Sequence, residues 1–80
     1  MNKVKFQQRI GSNSIVITAF VNHEEKEMFF IKQVDETSGM DWFAVTSTLG
    51  VDTYENDLSF STIEKAIQYI KTFATKSREY

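Results

Sequence analysis

The period of the apolar residues changes once along this chain, and that change constrains the fold more than any other feature. Four runs rich in β-branched and aromatic residues precede it, at about 3–10, 15–22, 27–34 and 40–48. Such runs are typical of β-strands. The clusters GSNS, HEEK and DETSG separate them. Because short connections favour antiparallel hairpins, we predict a four-stranded antiparallel meander.

The second period begins after a loop at 49–60. Apolar residues then recur three and four positions apart, at Ile63, Ala66, Ile67, Ile70, Phe73 and Ala74, which indicates an amphipathic helix over about 61–76. The preceding STIE has the pattern of a capping box, with Ser61 as N-cap and Glu64 as its reciprocal partner. We therefore predict a single α+β domain over 1–80, a ββββα chain whose helix packs on one face of the sheet.

The lengths of the three turns predict which side chains share a face of the sheet. A four-residue GSNS loop places Ile10 opposite Ile15, and loops at HEEK and DETSG then place Phe30 between Ala19 and Ala44. Lys32 is a misfit on the resulting core face. The other members of that face are Val4, Phe6, Ile10, Ile15, Ile17, Ala19, Val21, Met28, Phe30, Val34, Met40, Trp42 and Ala44.

The second face would hold five neighbouring apolar residues. They are Phe20, Phe29, Ile31, Phe43 and Val45. An exposed patch of this kind is typical of a contact with a partner or with a second copy of the chain. Alternatively, residues 49–60 fold over it or form a short fifth strand beside it. A slip of one residue in any turn would exchange the faces of every later strand.

Charge is distributed unevenly along the chain. The net charge is −2, yet residues 23–57 hold nine acids against two lysines, whereas 1–22 hold three bases and no acid. The acids that we consider for partner binding are Glu24, Glu25, Glu27, Asp35, Glu36, Asp52, Glu55 and Asp57. A block of one sign speeds association with a basic partner. It can equally be a solubilising rim that protects the sheet edges.

The composition provides few of the residue types that commonly carry out catalysis. The chain has no cysteine, and its single histidine, His23, lies in a predicted turn. The acids Asp52, Glu55 and Asp57 share a loop without the spacing or the glycine of an EF-hand. We therefore expect no enzyme activity, no catalytic residue, no cofactor and no metal.

The sequence predicts a small non-enzymatic protein-binding module. In size and charge it is similar to acidic inhibitors that phages and mobile elements direct against basic, nucleic-acid-processing proteins of a host, including anti-defence proteins. The alternative is a small nucleic-acid-binding or regulatory domain that uses Lys3, Lys5 and Arg9, although the acidic centre opposes it. No apolar run of transmembrane length or signal-peptide layout occurs, so we expect a cytoplasmic protein that does not bind membranes.

Overall fold

The computed structural model describes residues 3–35 and 41–80 and confirms the predicted α+β architecture. Four antiparallel strands form one sheet in the order in which they occur along the chain, and a single helix follows. The elements are β1 (Lys5–Ile10), β2 (Ile15–Val21), β3 (Glu24–Asp35), β4 (Asp41–Ser47) and α1 (Ile63–Lys76).

The first hairpin has the predicted register. Phe6 lies opposite Ala19 and Ile10 lies opposite Ile15. The amide of Gly11 donates to the carbonyl of Ser14 at 2.7 Å and closes the loop. The predicted length of the GSNS loop, together with the alternation of apolar residues in both strands, therefore predicts the pairing of β1 with β2 correctly.

The second hairpin differs from the prediction, because HEEK is not a loop. The chain turns at Asn22 and His23, which have φ of 53° and 68°. Two successive left-handed residues suit the strong twist of a two-residue hairpin. Strand β3 consequently begins at Glu24, and a register shift near Ala19 and Phe20 leaves Lys26 without a partner residue on β2.

The register shift at Ala19 and Phe20 exchanges the two faces of β3 and β4, so the predicted division into core and second face is wrong for both strands. The turn is two residues shorter than predicted, and that change by itself would have kept the predicted faces. Phe29 lies opposite Ile17, and Ile31 lies opposite Ile15, both on the helix side. Phe29 and Val45 are fully buried, and Ile31 is 3 % exposed. The predicted core residues of these strands that the structure describes are turned away from the helix: Met28, Phe30, Val34, Trp42 and Ala44.

The third connection preserves the relation between β3 and β4. Ile31 lies opposite Val45 rather than Phe43, a shift of two residues. Because side chains alternate with a period of two, this shift leaves the same residues together on one face. Phe43 is half-buried and packs against the core. Met40 lies outside the described residues.

Helix α1 covers the core face with a stripe of small and branched residues. Ala66, Ile70 and Ala74 are fully buried, and the rings of Phe29 and Phe73 pack edge to face at a centroid distance of 6.3 Å. The predicted cap is one residue early. Thr62 is the N-cap, and its hydroxyl accepts from the amide of Lys65 at 3.1 Å.

Residues 49–60 lie along the free edge of β4 and resolve the alternatives left open by the sequence. Phe43 and Phe60 exchange two backbone hydrogen bonds of 2.8 Å, and the amide of Thr53 donates to the carbonyl of Val45 at 2.9 Å. The segment thus resembles an interrupted fifth strand that pairs with β4. Its Val51 and Phe60 also pack against the core cluster. It also caps an edge that would otherwise present unpaired backbone groups.

Candidate binding surface

The face of the sheet that points away from α1 is the candidate site, and we call it the open face. Cross-strand pairs define its rows: Lys5 with Phe20, Thr18 with Met28, Val16 with Phe30, Lys32 with Ala44, and Val34 with Trp42. Gln7, Arg9, Glu25 and Thr46 complete it. No described element covers this face, since the helix-side core contains none of its residues.

The open face is apolar along a diagonal from the tip of the β2–β3 hairpin to the start of β4. Its large apolar members are half-buried: Phe20, Met28, Phe30, Val34 and Trp42. The smaller Val16 and Ala44 are each only 4 % exposed. Side chains that neighbour each other on adjacent strands of one sheet face can pack this closely. The result is a continuous apolar surface rather than scattered exposed residues.

Positive charge accompanies this apolar surface. Lys5 and Arg9 project from β1, and Lys32 projects from β3 between Phe30 and Val34. All three are exposed, and none makes a salt bridge within the described part of the chain. One carboxylate, Glu25, is opposite Phe20 at the hairpin tip. In a chain of net charge −2, the open face is therefore locally cationic.

A shallow depression lies at the corner of the open face near the hairpin tip. It has a volume of about 470 Å³ and is lined by Lys3, Lys5, Gln7, Phe20, Asn22 and His23. Its lining brings together basic, amide and aromatic side chains. A side chain of a bound partner would fit in a space of this size.

Of the apolar residues predicted for a contact surface, the structure leaves only Phe20 on the open face. Phe29, Ile31 and Val45 are buried beneath α1, and Phe43 packs at the margin of that core. The residues that replace them were assigned to the core because the register shift at Ala19 and Phe20 was not predicted. No glycine marks this shift in the sequence, and only a one-residue slip of the register pointed to these residues.

The predicted acidic residues do not form one surface. Glu24 and Glu25 are exposed at the β2–β3 tip, where Glu24 pairs with Lys26 at 3.0 Å. Asp52, Glu55 and Asp57 lie in the segment beside β4, where Asp52 accepts from the amide of Glu55 at 3.1 Å.

Two more of these acids lie at the end of β3. Asp35 is opposite Asp41 where β3 and β4 meet the connection between them. Glu36 lies outside the described residues. The acidic block of the sequence is thus divided between a hairpin tip, a loop and a strand end.

Glu27 is the acid that departs furthest from its predicted role, because it is buried rather than displayed. Its side chain is 0 % exposed and accepts from Arg78 at 3.0 and 3.1 Å, from Ser47 at 2.5 Å and from the hydroxyl of Tyr80. This network joins the residues after α1 to strands β3 and β4. Glu27 therefore has a structural position that the sequence did not reveal.

The pKa values in this network follow from burial and hydrogen bonding. Burial acts to raise the pKa of Glu27, but the hydrogen bonds from Arg78, Ser47 and Tyr80 outweigh it and hold the pKa below its ordinary value of 4.5. Burial, the larger cause, and the hydrogen bond to Glu27 both raise the pKa of Tyr80 above its ordinary value. At neutral pH the carboxylate is thus ionised and the phenol is protonated.

Neither a metal-binding cluster nor a membrane-spanning helix is found among the described residues. No group of three or more His, Asp or Glu side chains in residues 3–35 and 41–80 is arranged to hold a metal ion. No helix in these ranges is both long and apolar enough to cross a membrane. No protein-family model, curated protein sequence or solved structure matches the chain.

Proposed function

We propose that this chain is a small non-enzymatic protein-binding module and that the open face is its contact surface. One observation carries the proposal. Five large apolar side chains share the open face, and no described helix or loop packs against that face. Contiguous apolar patches on small proteins commonly mark interaction sites. The cytoplasmic location stays a prediction.

The composition of the open face supports a protein as its ligand. Aromatic residues, methionine and arginine are enriched in protein–protein interfaces, and the open face has Phe20, Phe30, Trp42, Met28 and Arg9. The strands beneath are held by the core, so the surface is formed before the partner arrives. Rigid aromatic anchors lose little conformational entropy on binding.

The sharper form of the proposal makes the chain an acidic inhibitor of a basic, nucleic-acid-processing protein. It rests on size and on the exposed acids at the hairpin tip and beside β4, which would steer a basic partner. Of these acids, Glu25 lies on the open face opposite Phe20, and the others lie beside that face or away from it. A basic partner would therefore have to meet Glu24 and Glu25 at the tip as well as the apolar surface.

Nucleic-acid binding is the second candidate, and one observation favours it. The basic row of β1, with Lys5 and Arg9, lies on the same face as Phe20, Phe30 and Trp42. Sheets that bind single-stranded nucleic acid combine cations with aromatic rings on which bases stack. This chain has few such cations, so we rank this candidate below a protein partner.

Affinity capture from the source cells with matched variants tests the proposal. The bait variant is Phe30→Ser with Trp42→Ser, and the control is Leu49→Ser, because Leu49 is 54 % exposed and lies outside the open face. We expect at least one protein to be lost with the bait variant and retained with the control, and to bind the chain again when purified. An identical set of captured proteins for all three baits would refute the proposal.

A further inference from the structure

We infer that the partner of the open face is a protein surface that places carboxylates among apolar side chains. The inference rests on the proposed function and concerns the chemistry of the partner at the same site. It begins from the position of Lys32, which lies within the apolar diagonal, next to Val34 on its strand face and opposite Ala44. A partner that covers Phe30 and Trp42 also covers Lys32.

Covering these cations has a consequence for the partner. A charged group that loses water without gaining an opposite charge destabilises a complex by several kcal/mol. Lys5, Arg9 and Lys32 make no salt bridge in the described residues, so they have no carboxylate of their own to retain on binding. The partner must supply one close to each cation that it covers.

A second copy of this chain does not meet that requirement. In a twofold dimer both subunits present the same surface. The open face offers one carboxylate, Glu25, for the three cations Lys5, Arg9 and Lys32. Self-association through this face would bring more positive than negative charge into the contact, and like charges across an interface oppose binding.

Single-stranded nucleic acid would satisfy the cations with phosphates but would use the rest of the face poorly. Its bases gain from aromatic rings, whereas aliphatic side chains separate the rings on this face. Trp42 is opposite Val34, four residues along β3 from Phe30, or about 13 Å. Met28, Val34 and Ala44 are matched better by apolar side chains of a protein.

The probe for this inference is a displayed library of random peptides, selected against three forms of the chain. The first form is the wild type. The second reverses the cations of the open face, with Lys5→Glu, Arg9→Glu and Lys32→Glu. The control makes the same change in charge on exposed residues of α1, with Lys65→Glu, Lys71→Glu and Lys76→Glu. Circular dichroism establishes that all three forms are folded.

We expect peptides selected on the wild type to combine Asp or Glu with aromatic and aliphatic residues. Their affinity should fall by about tenfold or more on the face-reversed form, the size of one lost charge pair, and should change little on the helix control. Apolar peptides without an acidic bias, binding both forms equally, would overturn the inference and leave the proposed function standing. If the selected peptides bound the Phe30→Ser, Trp42→Ser variant as tightly as the wild type, the proposed function itself would be overturned.

Two further measurements decide between the other occupants. Labelled random-sequence single-stranded DNA should bind weakly at physiological salt, and tight binding that the face-reversed form loses would assign the face to nucleic acid instead. Light scattering should give a monomer. A dimer that Phe30→Ser dissociates would assign the face to a second copy and overturn the inference.

Discussion

Arg78 donates two hydrogen bonds to the carboxylate of Glu27, which precedes it by 51 residues in the chain and is buried within the sheet. The two distances are 3.0 and 3.1 Å, so the guanidinium engages both carboxylate oxygens. The same guanidinium lies over the ring of Phe73 at 4.9 Å. Since an unpaired buried carboxylate is costly, this contact determines where the residues after α1 lie.

Replacing Arg78 by alanine should destabilise the fold by about 3 kcal/mol, because removal of one partner leaves the other as an unpaired buried charge. Arg78→Lys should lose less, since lysine keeps the charge but lacks the planar pair of donors. Urea unfolding at neutral pH measures both changes. The control is Arg9→Ala, because Arg9 is exposed and makes no salt bridge in the described residues. A similar loss for Arg9→Ala and Arg78→Ala would contradict this account.

The same network predicts how stability depends on acid. Because the folded state lowers the pKa of Glu27 from 4.5, its contribution is fully present above about pH 4.5 and is lost as the pH falls through the lower folded-state value. Glu27→Gln should therefore be less stable than the wild type at neutral pH, by about 2–3 kcal/mol. The gap should begin to narrow below about pH 4.5, where Glu27 of the unfolded chain takes up a proton, and should close at the lower folded-state pKa, where the folded side chain also becomes neutral.

Unfolding curves across the acid range, with Glu24→Gln as control, check this prediction. The side chain of Glu24 is 73 % exposed and pairs with the neighbouring Lys26 at 3.0 Å, so its replacement should change the free energy of unfolding by less than about 0.5 kcal/mol across this range. If the gap between wild type and Glu27→Gln stayed constant from neutral pH down to about pH 3, the assigned pKa shift would be wrong.

Much of this fold was predictable from local patterns. Alternation of apolar residues and the loop at GSNS gave the pairing of Phe6 with Ala19, and the spacing from Ile63 to Ala74 gave the helix. These features depend on residues close together in sequence. The cap moved by one position, from Ser61 to Thr62, because both hydroxyls can accept from the first turn.

The faces of β3 and β4 could not be predicted with the same security. Their assignment depends on the register shift of one residue at Ala19 and Phe20, and the adjacent Phe29 and Phe30 both suit a core. Asn22 and His23 also lack the Asn-Gly pattern that predicts a left-handed two-residue turn. The position of Glu27 was inaccessible for a different reason, since its partners Ser47, Arg78 and Tyr80 are 20 or more residues away.

Substituting the two adjacent phenylalanines separately tests the corrected faces. Phe29 is fully buried against Phe73, so Phe29→Ala should destabilise the fold by about 3–5 kcal/mol. Phe30 is half-buried on the open face, and Phe30→Ala should cost less than about 1.5 kcal/mol. Urea unfolding of the pair gives the comparison. The reverse order of losses would restore the predicted faces and remove Phe30 from the binding surface.

The left-handed turn between β2 and β3 has a conformational cost that glycine would relieve. His23 has φ of 68°, a left-handed conformation that costs an L-residue about 1–2 kcal/mol and glycine almost nothing. Part of that gain is offset by the greater freedom of glycine in the unfolded chain. His23→Gly should therefore stabilise the fold by about 0.5–1 kcal/mol and raise Tm by about 4 °C.

Thermal unfolding of His23→Gly beside two comparison variants measures this effect. His23→Ala keeps the Cβ atom and should not raise Tm. Ser12→Gly is the second comparison, because Ser12 lies in the β1–β2 loop and is not among the residues with positive φ, so glycine there adds only freedom to the unfolded chain. A rise in Tm for Ser12→Gly equal to that for His23→Gly would show that the left-handed turn is not the cause.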